Sequence, residues 1–153
     1  MAVKLGLRTV YIYDYFNRNH NFTAKWFIIS CMKIPIKYAI ESGAWFQCRK
    51  DKFKLKILSF EKEKSKTMNG LEGTLTLQII NLNKRPVSII EIVDNIVIKD
   101  SDDFTFYYSD YKAFIAHNLN PKIKYTGFIC FHLPIEDESE YCFSIKKGSI
   151  QEV

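Results

Sequence analysis

Apolar and polar positions alternate most clearly between residues 73 and 92. Leu75, Leu77 and Ile79 fall on one face of an extended segment, with Thr74, Thr76 and Gln78 on the other. A period of two marks a half-buried strand. Residues 81–86 (NLNKRP) then turn the chain. Beyond the turn, Val87, Ile89 and Glu91 against Ser88, Ile90 and Ile92 predict a second strand adjacent to the first. The run 53–60 alternates in the same way, with Phe53, Leu55 and Ile57 opposite Lys52, Lys54 and Lys56. Further strands are expected at 95–99, 104–108, 123–133 and 140–146, separated by turn-rich segments.

The first third is patterned less regularly. Val10, Ile12 and Asp14 alternate with Tyr11, Tyr13 and Tyr15 and suggest a strand, and residues 17–21 read as a turn. Residues 25–34 read as a buried strand ended by Pro35. Residues 36–42 suit a short helix terminated by Gly43. Residues 61–70 (EKEKSKTMNG) read as a charged loop with an Asn-Gly turn. Strands at roughly ten-residue spacing with short turns predict a mainly β fold, an antiparallel immunoglobulin-like β-sandwich with a short N-terminal α/β extension. The expected organisation is an extension over 1–52, the sandwich over 53–146 and a C-terminal tail over 147–153.

Composition supports a packed body. The 153 residues are 47% hydrophobic and 25% charged, as in ordinary globular chains. Aromatics reach 15%, against six glycines and four prolines. The wealth of Ile, Lys, Phe, Tyr and Asn fits an AT-rich coding sequence, hence a bacterium, phage or mobile element. The longest uncharged apolar stretch in the N-terminal third, residues 26–32, is far short of the ~20 residues of a membrane span. The expected location is cytoplasmic. Cys31, Cys48, Cys130 and Cys142 have no Cys-x-x-Cys spacing and read as reduced, buried thiols, with a Cys130–Cys142 pairing as the sharper alternative.

Charge changes the picture through its distribution. Residues 1–66 carry 14 Lys and Arg against 5 Asp and Glu, whereas residues 67–153 carry 8 against 12. Such asymmetry suggests a polyanion or an acidic surface as partner. Arg49, Lys50, Lys52, Lys54 and Lys56 are the candidate polyanion contacts. The competing reading is a solvated face, or an edge strand guarded by lysine.

Residues 53–146 resemble the small immunoglobulin-like β-sandwich domains of many uncharacterised bacterial proteins. The resemblance rests on Phe53 to Ile57, on Leu75 to Ile79 with Asn81, on Arg85 to Ile89, and on Leu119 to Pro121 followed by Gly127 to Leu133. It implies a fold and transfers no catalytic residue. Members are often tethered by an N-terminal membrane helix, for which no apolar run is long enough here.

Enzymatic motifs are missing. His20, His117 and His132 lack the His-x-Thr/Ser spacing of two-histidine phosphoesterases, and there is no G-x-S-x-G elbow, phosphate-binding loop or dinucleotide fingerprint. Cys130, His132 and Cys142 offer a candidate zinc trio, weighed against a buried thiol and a rim histidine. Residues 100–103 (DSDD) invite a calcium reading but lack an EF-hand's glycine and distal glutamate, so an acidic turn is favoured. The expectation is a non-enzymatic module without cofactor or metal, binding another protein, with nucleic-acid or polyanion binding as the alternative. In the aromatic run 104–114, Phe104, Phe106 and Tyr108 suit a core face. Tyr107, Tyr111 and Phe114 are then the candidate protein interface.

Overall fold

The computed structural model describes residues 33–66, 69–112, 117–134 and 140–153. The expected strand at 10–15 and nearly all of that at 25–34 lie outside them, as do His20, Cys31 and Phe114.

The described chain is mainly β, in antiparallel sheets. The larger sheet runs β12 (Ile150–Glu152), β2 (Phe46–Cys48), β3 (Phe53–Lys64), β4 (Leu71–Asn81), β10 (Lys124–Leu133) and β8 (Tyr108–Lys112). The smaller runs β1 (Lys33–Pro35), β11 (Cys142–Ile145), β6 (Ile96–Lys99) and β7 (Thr105–Phe106). A two-stranded ribbon joins β5 (Val87–Ser88) to β9 (Asn118–Leu119). Two seven-residue helices complete it, α1 (Ile36–Ser42) and α2 (Ile89–Asn95).

The alternation read from the sequence sets the inner face of the larger sheet. Leu55 lies opposite Ile79, and Ile57 opposite Leu77. These four are completely or almost completely buried. A bulge between Ile57 and Ser59 resets the phase, so that Leu58 is turned outward while Phe60 returns to the row of Leu75. At Gly73 a Cβ would lie 2.7 Å from Leu133 Cδ1, so a larger residue there would have to displace the Leu133 side chain. Phe46 of the larger sheet meets Phe143 of the smaller edge-to-face, ring centres 5.4 Å apart, within one core shared by both sheets.

Helix α1 ends as expected: Gly43 has φ 63° and its N–H donates to the Ala39 carbonyl at 3.2 Å. The strand expected at 86–93 is corrected. Only Val87 and Ser88 are extended, and 89–95 is helical. The buried residues Ile89, Ile92, Val93 and Ile96 are spaced i, i+3, i+4, i+7, which is one face of a helix, while Ile90, Glu91 and Asp94 face solvent. Consequently β4 is not paired with the segment after it; its neighbours are β3 and β10. Strand β3 also runs four residues into the expected charged loop, to Lys64.

The sheet crosses both expected domain boundaries. Strand β2 pairs with β3 on one side and with β12 on the other, because Phe46, Cys48 and Ile150 are all buried in the common core.

Candidate functional site

Strand directions divide the two-sheet body into two ends. Strand β3 begins beside the last residue of β4, Phe53 opposite Asn81, and β10 begins one residue away, Lys124 opposite Ile80. Strand β6 starts opposite the last residue of β11, and β12 starts opposite the last residue of β2. The β2–β3 turn, the 82–86 turn, the approach to β10, the C-terminus of α2 and the 146–149 segment therefore meet at one end.

Neutral amides tie these turns together. Asn81, fully buried, donates from Nδ2 to the carbonyls of Arg85 and Leu119, each at 2.9 Å. Its Oδ1 accepts from the Asn83 backbone N–H at 2.8 Å and from Asn83 Nδ2 at 2.9 Å. Asn83 Nδ2 also donates to the Asp51 carbonyl at 2.9 Å, fastening the β2–β3 turn. Asn95 Nδ2 donates to Asp51 Oδ2 at 2.7 Å, and its Oδ1 accepts from the Lys147 N–H at 2.9 Å. Buried polar groups thus bond four loops without using a cation.

The same turns carry the basic side chains. The β2–β3 turn presents Arg49, Lys50 and Lys52, all exposed. The 82–86 turn adds Lys84 and Arg85, the entry to β10 adds Lys122 and Lys124, and the exit from β11 adds Lys146 and Lys147, again all exposed. These nine cations face three carboxylates, Asp51, Glu91 and Asp94, a net of +6; since the whole chain is +5, everything else sums to −1. Among the described residues, Lys146 alone of the nine reaches a carboxylate, Asp94 at 3.3 Å. A polar cleft of about 440 Å³ opens here, with Lys50 and Arg85 in its lining together with Asp51, Asn83, Ser88 and Glu91.

The expected basic patch is thus split. Arg49, Lys50 and Lys52 join the cationic end, whereas Lys54 and Lys56 lie half-buried on the outer face of β3. The Lys54 ammonium sits over Trp45, 5.2 Å from the ring centre. Sequence reading missed the contributions of residues 84–85, 122–124 and 146–147. The available signal was the pairing of adjacent cations in turns, visible as Lys84 with Arg85 and Lys146 with Lys147.

The aromatic run is divided too. Tyr107 is 59% exposed, with the Lys146 ammonium 4.8 Å from its ring centre. Tyr111 is half-buried; it lies opposite Ile129 and meets Tyr108 edge-to-face at 6.2 Å. Phe114 is outside the described residues. Phe104, expected on a core face, is instead 67% exposed. Asp100 Oδ1 accepts the N–H groups of Asp102 and Phe104 and closes the acidic turn so that the Phe104 ring projects outward. Phe106 and Tyr108 do pack against the core.

No protein-family model matches the chain, and neither does any curated protein or solved structure. The remaining chemistry is therefore read from the molecule alone. Among the described residues, no group of three His, Cys, Asp or Glu is placed to hold a metal. Of the candidate zinc trio, Cys130 and His132 share a face of β10, whereas Cys142 opens β11 in the other sheet. Cys48, Cys130 and Cys142 are free thiols, so the alternative Cys130–Cys142 pairing is not formed. Burial pushes the Cys142 thiol up to about 11, and burial with the nearby Asp51 carboxylate pushes Cys48 higher still. Neither is poised as a nucleophile. No helix among the described residues is long and apolar enough to cross a membrane.

A second, smaller cleft of about 270 Å³ lies between α1 and β3, with Ile36, Ile40, Phe60 and Tyr141 in its lining. The Lys62 ammonium covers the Tyr141 ring at 5.3 Å.

Proposed function

We propose that this chain is a non-enzymatic β-sandwich module that binds another protein through the exposed aromatics flanking β7. The observation that carries the reading is the exposure of Phe104 and Tyr107, 67% and 59%, on either side of a two-residue edge strand. Large aromatics supply rigid contact area at small entropic cost and are enriched at binding hot spots. Tyr111 contributes by buttressing Tyr108 behind them rather than by direct contact.

The test is affinity capture from the source cells with the full chain, comparing wild type with Phe104→Ala and Tyr107→Ala. The expected result is a specific partner whose binding weakens at least ~30-fold, the scale of a hot-spot truncation, with melting unchanged. Capture that is indifferent to both substitutions overturns the reading.

A second reading, binding of a polyanion, is supported by the nine cations at one end, whose turns are held by neutral side chains.

A further inference from the structure

We infer that the cationic end is a docking surface for an anionic phospholipid bilayer, held by the basic turns and by the aliphatic tip Ile123. This rests on the polyanion reading for its charge and goes beyond it in naming the partner.

Among the described residues the charge is one-sided, +6 at this end against −1 for the rest. A charged plane orients such a molecule end-on, and each Lys or Arg near an anionic leaflet adds to the attraction. The cations also stand at turn tips, where a flat surface can reach several at once. Lys146 is paired with Asp94 and Arg49 donates to Gln151, but the turns themselves are held by Asn81, Asn83 and Asn95.

Charge alone would suit any polyanion; the apolar side chains choose between them. Ile123 is 48% exposed, lies between Lys122 and Lys124, and follows a left-handed residue, Lys122 with φ 63°, that makes the turn tight. Ile90, on the outward side of α2, is 52% exposed. An aliphatic side chain flanked by lysines is the chemistry of a bilayer interface, where the chain enters the acyl boundary and the ammonium groups stay among headgroups. A nucleic-acid backbone offers an isoleucine nothing. Single-strand binding further asks for stacking aromatics, whereas among the described residues an exposed aromatic touching this end, Tyr107, has Lys146 over its ring. Seven of the nine cations are lysine rather than the arginine favoured for base and phosphate forks.

The experiment is co-sedimentation of the full chain with vesicles of phosphatidylcholine alone or with about 30 mol % phosphatidylserine, at low and at high salt. Binding is expected only to the phosphatidylserine vesicles, and is expected to fall at least about tenfold when salt rises to about 0.5 M. Lys122→Gln with Lys124→Gln should weaken it about 25-fold. Ile123→Ser should weaken it about fivefold, from loss of roughly half a side chain's transfer energy. Lys62→Gln, at the opposite end, should change nothing. A short duplex DNA is titrated in parallel. Equal binding to both vesicle types overturns the inference. DNA binding as tight as vesicle binding, with Ile123→Ser silent, overturns the lipid assignment but keeps the polyanion reading. Binding to neither vesicles nor DNA overturns both.

Discussion

The two ends of the body close the same pair of sheets with opposite chemistry. At the cationic end the turns are bonded by asparagine side chains, and eight of nine cations have no carboxylate within reach among the described residues. At the other end charge is used internally. Lys33 of β1, 5% exposed, is paired with Asp103 in the β6–β7 turn, and the Tyr141 hydroxyl is buried without a hydrogen-bond partner. Along the outer part of β3, Glu61, Lys62, Glu63 and Lys64 alternate in sign. Net charge at a protein end thus depends on what holds its loops. Neutral amides leave lysines free for a partner, whereas an internal ion pair spends them.

The largest expected effect tests the amide side of that comparison. Asn81→Ala removes four hydrogen bonds at once. At about 1 kcal/mol for each bond, the loss should be about 4 kcal/mol. For a chain of this size that lowers the melting temperature by roughly 10 °C. Thermal unfolding of the variant measures it. A shift within roughly 2 °C would mean that the turns stand without the amide.

Asp103→Asn breaks the ionic side. Asparagine tolerates the left-handed backbone of position 103, φ 64°, so the substitution removes charge without imposing strain. It leaves the Lys33 ammonium in a buried place without its carboxylate. Breaking such a pair costs 3–5 kcal/mol when fully buried, and the 29% exposure of Asp103 reduces this to about 2–3 kcal/mol. Urea unfolding should show a lower midpoint at constant slope. The opposite sign is expected at Tyr141→Phe. Deleting a hydroxyl that has no partner should leave stability unchanged or raise it by up to about 1 kcal/mol, provided the ring keeps its edge contacts with Phe60 and Phe106.

Much of this molecule was legible before any coordinates. The strand alternation of β3 and β4 and the glycine stop of α1 are local signals, and each survives because one face of the element is buried. The reading of 86–93 as strand came from asking only whether apolar and polar residues alternate. Ile89, Ile92, Val93 and Ile96 answer the helical period better, but the window was cut at Ile92, where the two periods are hardest to separate. The cationic end was only partly visible for another reason. Its members lie in four turns up to about a hundred residues apart, and turn tips meet through sheet register, which no local pattern encodes. The densest basic run, 49–56, reads as one patch in the sequence, although its strand half and its turn half face different surroundings. Exposure of Phe104 was equally hidden, since it follows from Asp100 closing its turn.

The smallest effect ties the buried thiols to the same comparison. Cys48 ends β2 at the cationic end, beside Asp51, and Cys142 opens β11 at the other, near Lys33 and Asp103. Burial raises both thiols, from the ordinary 9.0 to about 11 for Cys142. A raised thiol adds stability that is complete below pH 9 and is lost as pH climbs through the folded value, so stability should decline between about pH 9 and 11. Below pH 9 both thiols should react slowly with a disulfide reagent in the native chain and rapidly once it is unfolded. The two ends then part in Asp103→Asn. At Cys142 the Lys33 charge lowers the thiol while Asp103 and Glu140 raise it; removing the Asp103 carboxylate leaves Lys33 less opposed and should speed thiolate formation there. Cys48 has neither charge among its causes and should keep its rate. Mapping the modified residue by mass spectrometry at pH 9 decides the matter. Equal acceleration at both thiols would mean that the substitution loosens the whole body rather than the Lys33–Asp103 end alone.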